Sequence, residues 1–319
     1  MTAKVHPELT VQVVNFSAQD PGDGWRHLFA LVEAADSAGV DRIIVSDHVV
    51  FGETLEDYAK PELGGRAGGR QPTGPDGHWL EPLTLLSIVA GMTKRIRLRT
   101  QILLAALRRP VTLAKSAATL DVLSGGRLDL GVGVGWQRAE YEAAGLSFEN
   151  RGRLLDHTLE VCQVLWGNER ASYSSPELHF DGIHQMPKPI SPGGVPIWIS
   201  GTIREATVRR LVRFGPRWIP WGPNDITLQT SIRRMKEELS KAGGDPNVLQ
   251  VAGPLPTVKQ SDGQIDIGRT MERVSEMVPI GQTDFVYPLR PAASRAETED
   301  NLWNIVLAFH EAAGKRTES

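Results

Sequence analysis

One cysteine, Cys162, is all the chain has, which excludes an intrachain disulfide and any multi-cysteine metal site. We expect it to be a buried structural thiol in a helix, and we expect no metal. No stretch reaches the roughly 18 apolar residues of a membrane-spanning helix, and Met1 to Thr10 lacks the apolar core of a secretory signal. The expectation is therefore a cytoplasmic protein with no membrane partner. Charge of one sign is lacking too: 35 basic and 38 acidic side chains leave a formal net charge of -3, too little to gather nucleic acid. There is no internal repeat and no low-complexity tract. With 40% hydrophobic and 23% charged residues, the composition is that of a globular chain with a large core.

Short β-branched runs alternate with helical patterns along the whole length, the pattern of βαβ units around a parallel sheet. Strands are predicted at Leu9 to Phe16, Arg42 to His48, Ile96 to Leu104, Leu128 to Gly133, Pro196 to Gly201, Trp218 to Trp221, Leu249 to Pro254 and Asp284 to Tyr287. Helices are predicted at Trp25 to Gly39, Pro82 to Thr93, Pro110 to Leu123 and Arg151 to Trp166, with Gly39 and Gly125 at C-terminal caps. Eight such units predict an α/β fold, a single (β/α)₈ TIM barrel over residues 1–319. Two segments break the rhythm and are expected as insertions on the C-terminal face: about 52–79, a lid or binding loop or else an insertion without a role, and 171–195, after one strand or before the next, building pocket wall.

The run Leu113 to Trp136, LAKSAATLDVLSGGRLDLGVGVGW, resembles the luciferase-like monooxygenase superfamily, and within it the F420-dependent oxidoreductase branch. Ile44 to His48 (IVSDH), Leu80 to Thr93 and Pro187 to Trp221 extend the likeness over about the middle two-thirds of the chain. Read alone, Gly131, Gly133 and Gly135 alternate along a strand and face one side, open to a flat ring or simply fitted to a tight barrel interior. The resemblance implies that this strand end, Val134 and Gly135, is cofactor wall. It implies a cis peptide at Gln101-Ile102 behind the cofactor ring, with Asp47 at the ring's polar edge. His48 is implied as the proton-transferring group on the substrate side; on its own, a histidine at a strand end is more often structural. Ser200, Gly201 and Thr202, on residues alone a plain helix N-cap, become the cofactor's phosphate turn, with Arg204 beside it.

The activity so implied is hydride transfer between coenzyme F420 and a small organic substrate, in a homodimer served by a reductase. Two alternatives stay open: a monooxygenase using reduced FMN from a separate reductase, and a flavin-binding protein without chemistry. Arg209, Arg210 and Arg213 follow Arg204, with Arg209 and Arg213 read as a solvated face. Departures from the family pattern are Gly52 where sugar-phosphate dehydrogenase members carry tryptophan, Trp136 where they carry an acid, and Pro216 and Arg217 where GDGW has its aspartate and second glycine.

Overall fold

The computed structural model describes residues 6–222, 228–289, 292 and 294–314. Its strands are β1 (Glu8–Gln12), β2 (Arg42–Val45), β3 (Arg97–Thr100), β4 (Leu128–Val132), β5 (Ile197–Gly201), β6 (Arg217–Pro220), β7 (Gln250–Pro254) and β8 (Asp284–Tyr287). All pair in parallel in the order β1-β8-β7-β6-β5-β4-β3-β2, and β1 closes the barrel by pairing with both β8 and β2. The outer layer comprises α1 (Arg26–Ala38), α2 (Pro82–Met92), α3 (Pro110–Leu123), α4 (Arg138–Ala143), α5 (Arg151–Gly167), α6 (Glu205–Phe214), α7 (Leu228–Lys241), α8 (Ile267–Met277) and α9 (Arg295–Ala312).

Helix ends follow their local chemistry. Pro82 and Pro110 occupy first-turn positions, where a missing N–H costs nothing, and the Glu81 carboxylate caps α2 by accepting the Thr84 amide at 2.7 Å. Gly39 ends α1 at φ +87°, left-handed backbone that favours glycine. Cys162 is fully buried in α5, and burial pushes its thiol up to about 12. As a free, buried thiol it fills the structural place expected of it.

Alternation along the strands separates two cores. Leu9, Val11, Ile43, Val45, Leu98, Leu128, Leu130 and Val132 join the helices in one apolar cluster. Their inward-facing neighbours form a charged lattice. The Arg42 guanidinium reaches Asp129 at 3.0 Å, Glu8 at 2.6 Å and Asp284, while Arg99 donates to Asp284 at 2.9 Å and lies 4.4 Å over the Trp198 ring. Buried charges persist only when paired. Burial alone would raise the Asp129 carboxyl, but Arg42 and Arg97 outweigh it and hold the group below the usual carboxylate range. Trp198, Ile219 and Ala252, with Ile102, cover the lattice on the mouth side.

The 52–79 segment contains two short 3-10 turns, Leu55–Ala59 and Pro61–Leu63, and His78–Trp79 pairs antiparallel with Phe16–Ser17. The 171–195 segment is a different matter. Its hairpin, Ala171–Ser174 with His179–Ile183, follows α5, which returns the chain to the N-terminal side of the barrel. The Tyr173 hydroxyl donates to Glu160 at 3.0 Å and Arg153 pairs with Glu177, so the hairpin lies on the outside of α5. Its tip, at Glu177, reaches Arg153 in the first turn of α5, the turn that follows the C-terminal end of β4.

Candidate functional site

The strands end earlier than their apolar runs because polar side chains take over the backbone at the mouth. Beyond β1, Asn15 captures the chain after β2: its amide donates to Ser46 O and Leu80 O at 2.9 Å, and its carbonyl accepts the Ser46 amide. Asp47 follows. Its side chain has no exposed surface and accepts the Leu104 amide at 2.8 Å and both Arg108 nitrogens at 2.7 and 3.1 Å. Arg108 also reaches Glu81 at 2.8 Å; burial works against its charge, but Asp47 outweighs it and raises the guanidinium. Asp47 thus ties the end of β2 to the chain leaving β3 and to the start of α2, a use its sequence position did not announce.

Between those anchors the Gln101-Ile102 peptide is cis, as the resemblance implied. Gln101 is held from below, its amide oxygen accepting from Arg99 at 2.7 Å. The glycines of β4 receive this segment. A Cβ on Gly131 would fall on the Thr100 carbonyl oxygen; on Gly133 it would lie 2.7 Å from Ile102 Cδ1, and on Gly135 2.7 Å from Leu104 Cδ2. The face they share is filled by the chain following β3, so no flat ring lies directly against it. Gly135, at φ +69°, also faces the 52–79 segment: a Cβ on Gly64 would come within 2.7 Å of its carbonyl oxygen. Val134 is half-buried, and its carbonyl accepts the Tyr141 hydroxyl at 2.7 Å.

His48 sits in an aromatic enclosure. Phe51 lies 4.3 Å away by ring centroid, Trp79 4.8 Å edge-on and Trp136 6.0 Å, with Tyr58 bridging from Trp136 to Trp221. Its Nδ1 faces Glu140 Oε2 at 3.3 Å, and Glu140 Oε1 accepts the Val49 amide at 2.8 Å. Glu140 went unnoticed in the sequence, although it lies only four residues beyond the block that carried the resemblance.

The 52–79 segment closes one side of the mouth through scattered polar ties. Trp221 Nε1 donates to Gly64 O at 2.9 Å, Arg151 to Leu63 O at 3.2 Å, and the Gly52 amide to Gln137. Ser200, Gly201 and Thr202 lie half-buried at the end of β5, and the Gly201 carbonyl accepts Trp218 Nε1 at 2.9 Å. Thr202 packs where a Cβ on Gly222 would clash. Arg204 is exposed at the N-cap of α6 and has no acidic partner among the described residues. Burial first, then the cations Arg138 and Arg204, push the Arg151 guanidinium down. Arg210 is not available to a ligand: it is buried and bound to Asp156 at 2.5 Å and Gly152 O at 2.9 Å. Arg209 and Arg213 pair with Asp156 and Glu160 on α5 while their side chains stay more than half exposed, the solvated face expected of them.

A closed eight-stranded parallel barrel with its polar and aromatic side chains gathered where the strands end has the architecture of barrel enzymes. The chain belongs to the luciferase-like monooxygenase family, whose model matches residues 8–264, and members of that family are oxidoreductases and monooxygenases. An uncharacterised protein of Mycobacterium tuberculosis is 33% identical over 180 residues, 56% of this chain and 63% of that protein, so the chain spans less than two-thirds of that relative's length. Two solved structures share the fold at low identity. An F420-dependent secondary alcohol dehydrogenase in complex with an F420-acetone adduct superposes with a TM-score of 0.69 at 14% identity, covering 95% of this chain and 99% of its own. The oxygenating constituent of 3,6-diketocamphane monooxygenase from Pseudomonas putida, in complex with FMN, gives 0.67 at 14%, covering 97% and 98%.

Proposed function

We propose that the chain transfers a hydride between coenzyme F420 and a small, largely apolar organic substrate at the C-terminal mouth of the barrel. The observation that carries this reading is His48, enclosed by Phe51, Trp79 and Trp136 with one ring edge facing a buried carboxylate. Such a pocket excludes water, orients an organic molecule and keeps one titratable group beside it.

The residues fit an anionic, flat cofactor. Arg204 and Arg66 are exposed, and neither has an acidic partner among the described residues. Both stand near the ties that the 52–79 segment makes, and the first-turn amides of α6 lack helical partners. Arg204, Ser200 and Thr202 would hold the phosphate, and Arg66 would meet a polyanionic tail. Gln101 and Ile102 would back the ring. When bound, the deazaflavin supplies the hydride and the protein supplies orientation and electrostatics. His48 gives a proton to the substrate atom that becomes negative as it is reduced, and takes it back in the reverse direction. Asp47 acts through Arg108 and Leu104, holding the support for the ring in place.

Fluorescence titration of the protein with F420 and with FMN tests the reading. Saturable binding of F420 and none of FMN is expected. Binding of FMN alone, with oxygen consumed when FMN is supplied reduced, would overturn it in favour of a monooxygenase; binding with no turnover would leave a carrier. His48→Ala is expected to bind cofactor equally and lose turnover by about 10²-fold or more. The oligomer is proposed as a homodimer, since Ile88 and Met92 on α2 and Leu123 on α3 are exposed apolar residues on adjacent helices. Light scattering at a single-chain mass would refute it.

A further inference from the structure

Glu140 is 2% exposed, and a carboxylate so far from water needs a partner for each oxygen. Oε1 has one, the Val49 amide at 2.8 Å. Oε2 has only His48 Nδ1 opposite it at 3.3 Å, and neither atom makes a formed hydrogen bond to anything among the described residues. Two bare lone pairs facing each other at that distance would repel. A proton between them removes the repulsion, and catalytic contacts of this kind commonly shorten when a site fills. The ring cannot turn away, because Phe51, Trp79 and Trp136 enclose it.

We infer that Glu140 is a positioning residue: it accepts Nδ1–H of His48, which leaves Nε2 as the bare nitrogen directed to the substrate side. The hydrogen bond made by one imidazole nitrogen decides which nitrogen is left to react. With the carboxylate in place, Nε2 takes a proton without rearrangement, since the charge so formed is met at Nδ1. Glu140 holds the Val49 amide at the same time, so the backbone that carries the ring is fixed by the same side chain. The inference rests on the proton role proposed for His48, but its test does not.

Long-range proton–nitrogen NMR of protein labelled at histidine nitrogen reads the tautomer directly, and His48→Gln identifies the resonance among the eight histidines. The wild-type protein is expected to carry its proton on Nδ1. Glu140→Gln keeps the volume and the Val49 contact through its carbonyl oxygen, and presents an NH₂ group to Nδ1, so the tautomer should invert to Nε2–H. Turnover in that variant should fall about 10- to 100-fold with cofactor affinity unchanged, the range typical of a group acting through another. An Nε2–H tautomer in the wild type, or the same tautomer in both proteins, overturns the inference. The wild-type spectrum decides the matter if Glu140→Gln does not fold. Should His48→Ala retain turnover, the proton role fails while the tautomer result stands; should the tautomer ignore Glu140 while His48→Ala is dead, the reverse holds.

Discussion

Asp47 is the residue for which the family resemblance and the structure suggest different uses, and substitution separates them. If its carboxylate touches the cofactor, Asp47→Asn weakens binding and leaves stability nearly unchanged. In the structure both oxygens are engaged by Arg108 and the Leu104 amide, and the side chain has no exposed surface. Arg108→Ala would leave that charge buried with a single donor, a change that typically costs about 3–5 kcal/mol. At about 2 °C per kcal/mol for a chain of this size, the melting temperature should fall by about 6–10 °C. Asp47→Asn should cost less, because Arg108 keeps Glu81 and is 17% exposed. A double variant, Asp47→Leu with Arg108→Met, should be less unstable than the two single losses summed, since neither charge is then stranded. Calorimetry or urea denaturation gives the four stabilities and F420 titration the four affinities. Independent losses that simply add, or an Asp47→Asn protein of unchanged stability with lost cofactor affinity, would refute the anchoring role.

Other outcomes follow from the same geometry. Asp129 is held below the usual carboxylate range, so its contribution is present above the unfolded value near pH 4 and is lost as pH falls through the lower folded value; acid unfolding curves of Asp129→Asn should be flatter there, and parallel curves would contradict this. Gly131→Ala drives its methyl onto the Thr100 carbonyl oxygen and should cost about 3 kcal/mol or more, whereas Gly133→Ala meets the Ile102 side chain, nearest at its Cδ1, and should cost about 1 kcal/mol while shifting cofactor affinity; equal stabilities by urea denaturation would be a failure. Cys162, its thiol pushed up to about 12 by burial, should resist a thiol reagent at pH 8 until the protein is unfolded; rapid labelling of the native protein would count against the packing around α5.

The barrel was legible because parallel strands buried on both sides read as dense β-branched runs. The strands that open at Arg42, Ile197, Gln250 and Asp284 begin within a residue of expectation. The C-terminal ends were overdrawn wherever the chain stays extended after its ladder stops. Val13 and Val14 continue the apolar run of β1, yet the strand ends at Gln12, and β3 ends at Thr100 although Ile102, Leu103 and Leu104 follow. Asn15 and the Gln101-Ile102 turn redirect the backbone while hydrophobicity persists. The glycine alternation was legible as a close approach but not as an approach of what. Only the packing identifies Ile102 and Leu104 as the visitors. The 171–195 hairpin was legible only as a strand-like run, because such a run shows pairing and not the helix it packs on. Glu140 was invisible for a related reason: one acid among 38 has no periodicity, and its meeting with His48 joins positions far apart in the chain.

The mouth is supported from two directions by arginine. From below, Asp284 holds Arg99, and Arg99 holds Gln101; from the side, Asp47 holds Arg108, which is also fixed by Glu81 and reaches Leu104 O at 3.3 Å. The cis Gln101-Ile102 segment lies between these two anchors, and Ile102 closes the charged interior beneath it. Both anchors are carboxylate–guanidinium pairs removed from water, where geometry is sharply defined because any misalignment leaves a charge unpaired. The opposite side of the mouth is built otherwise. There the 52–79 segment is tied by backbone hydrogen bonds to Gln137, Arg151 and Trp221 and by the short pairing of His78–Trp79 with Phe16–Ser17, none of them an ion pair. A rigid shelf facing a lightly tied cover is what a site needs if it must hold a flat ring in one place and still admit it, since the cost of opening falls on a few hydrogen bonds of about 1–2 kcal/mol each rather than on the buried carboxylate–guanidinium pairs.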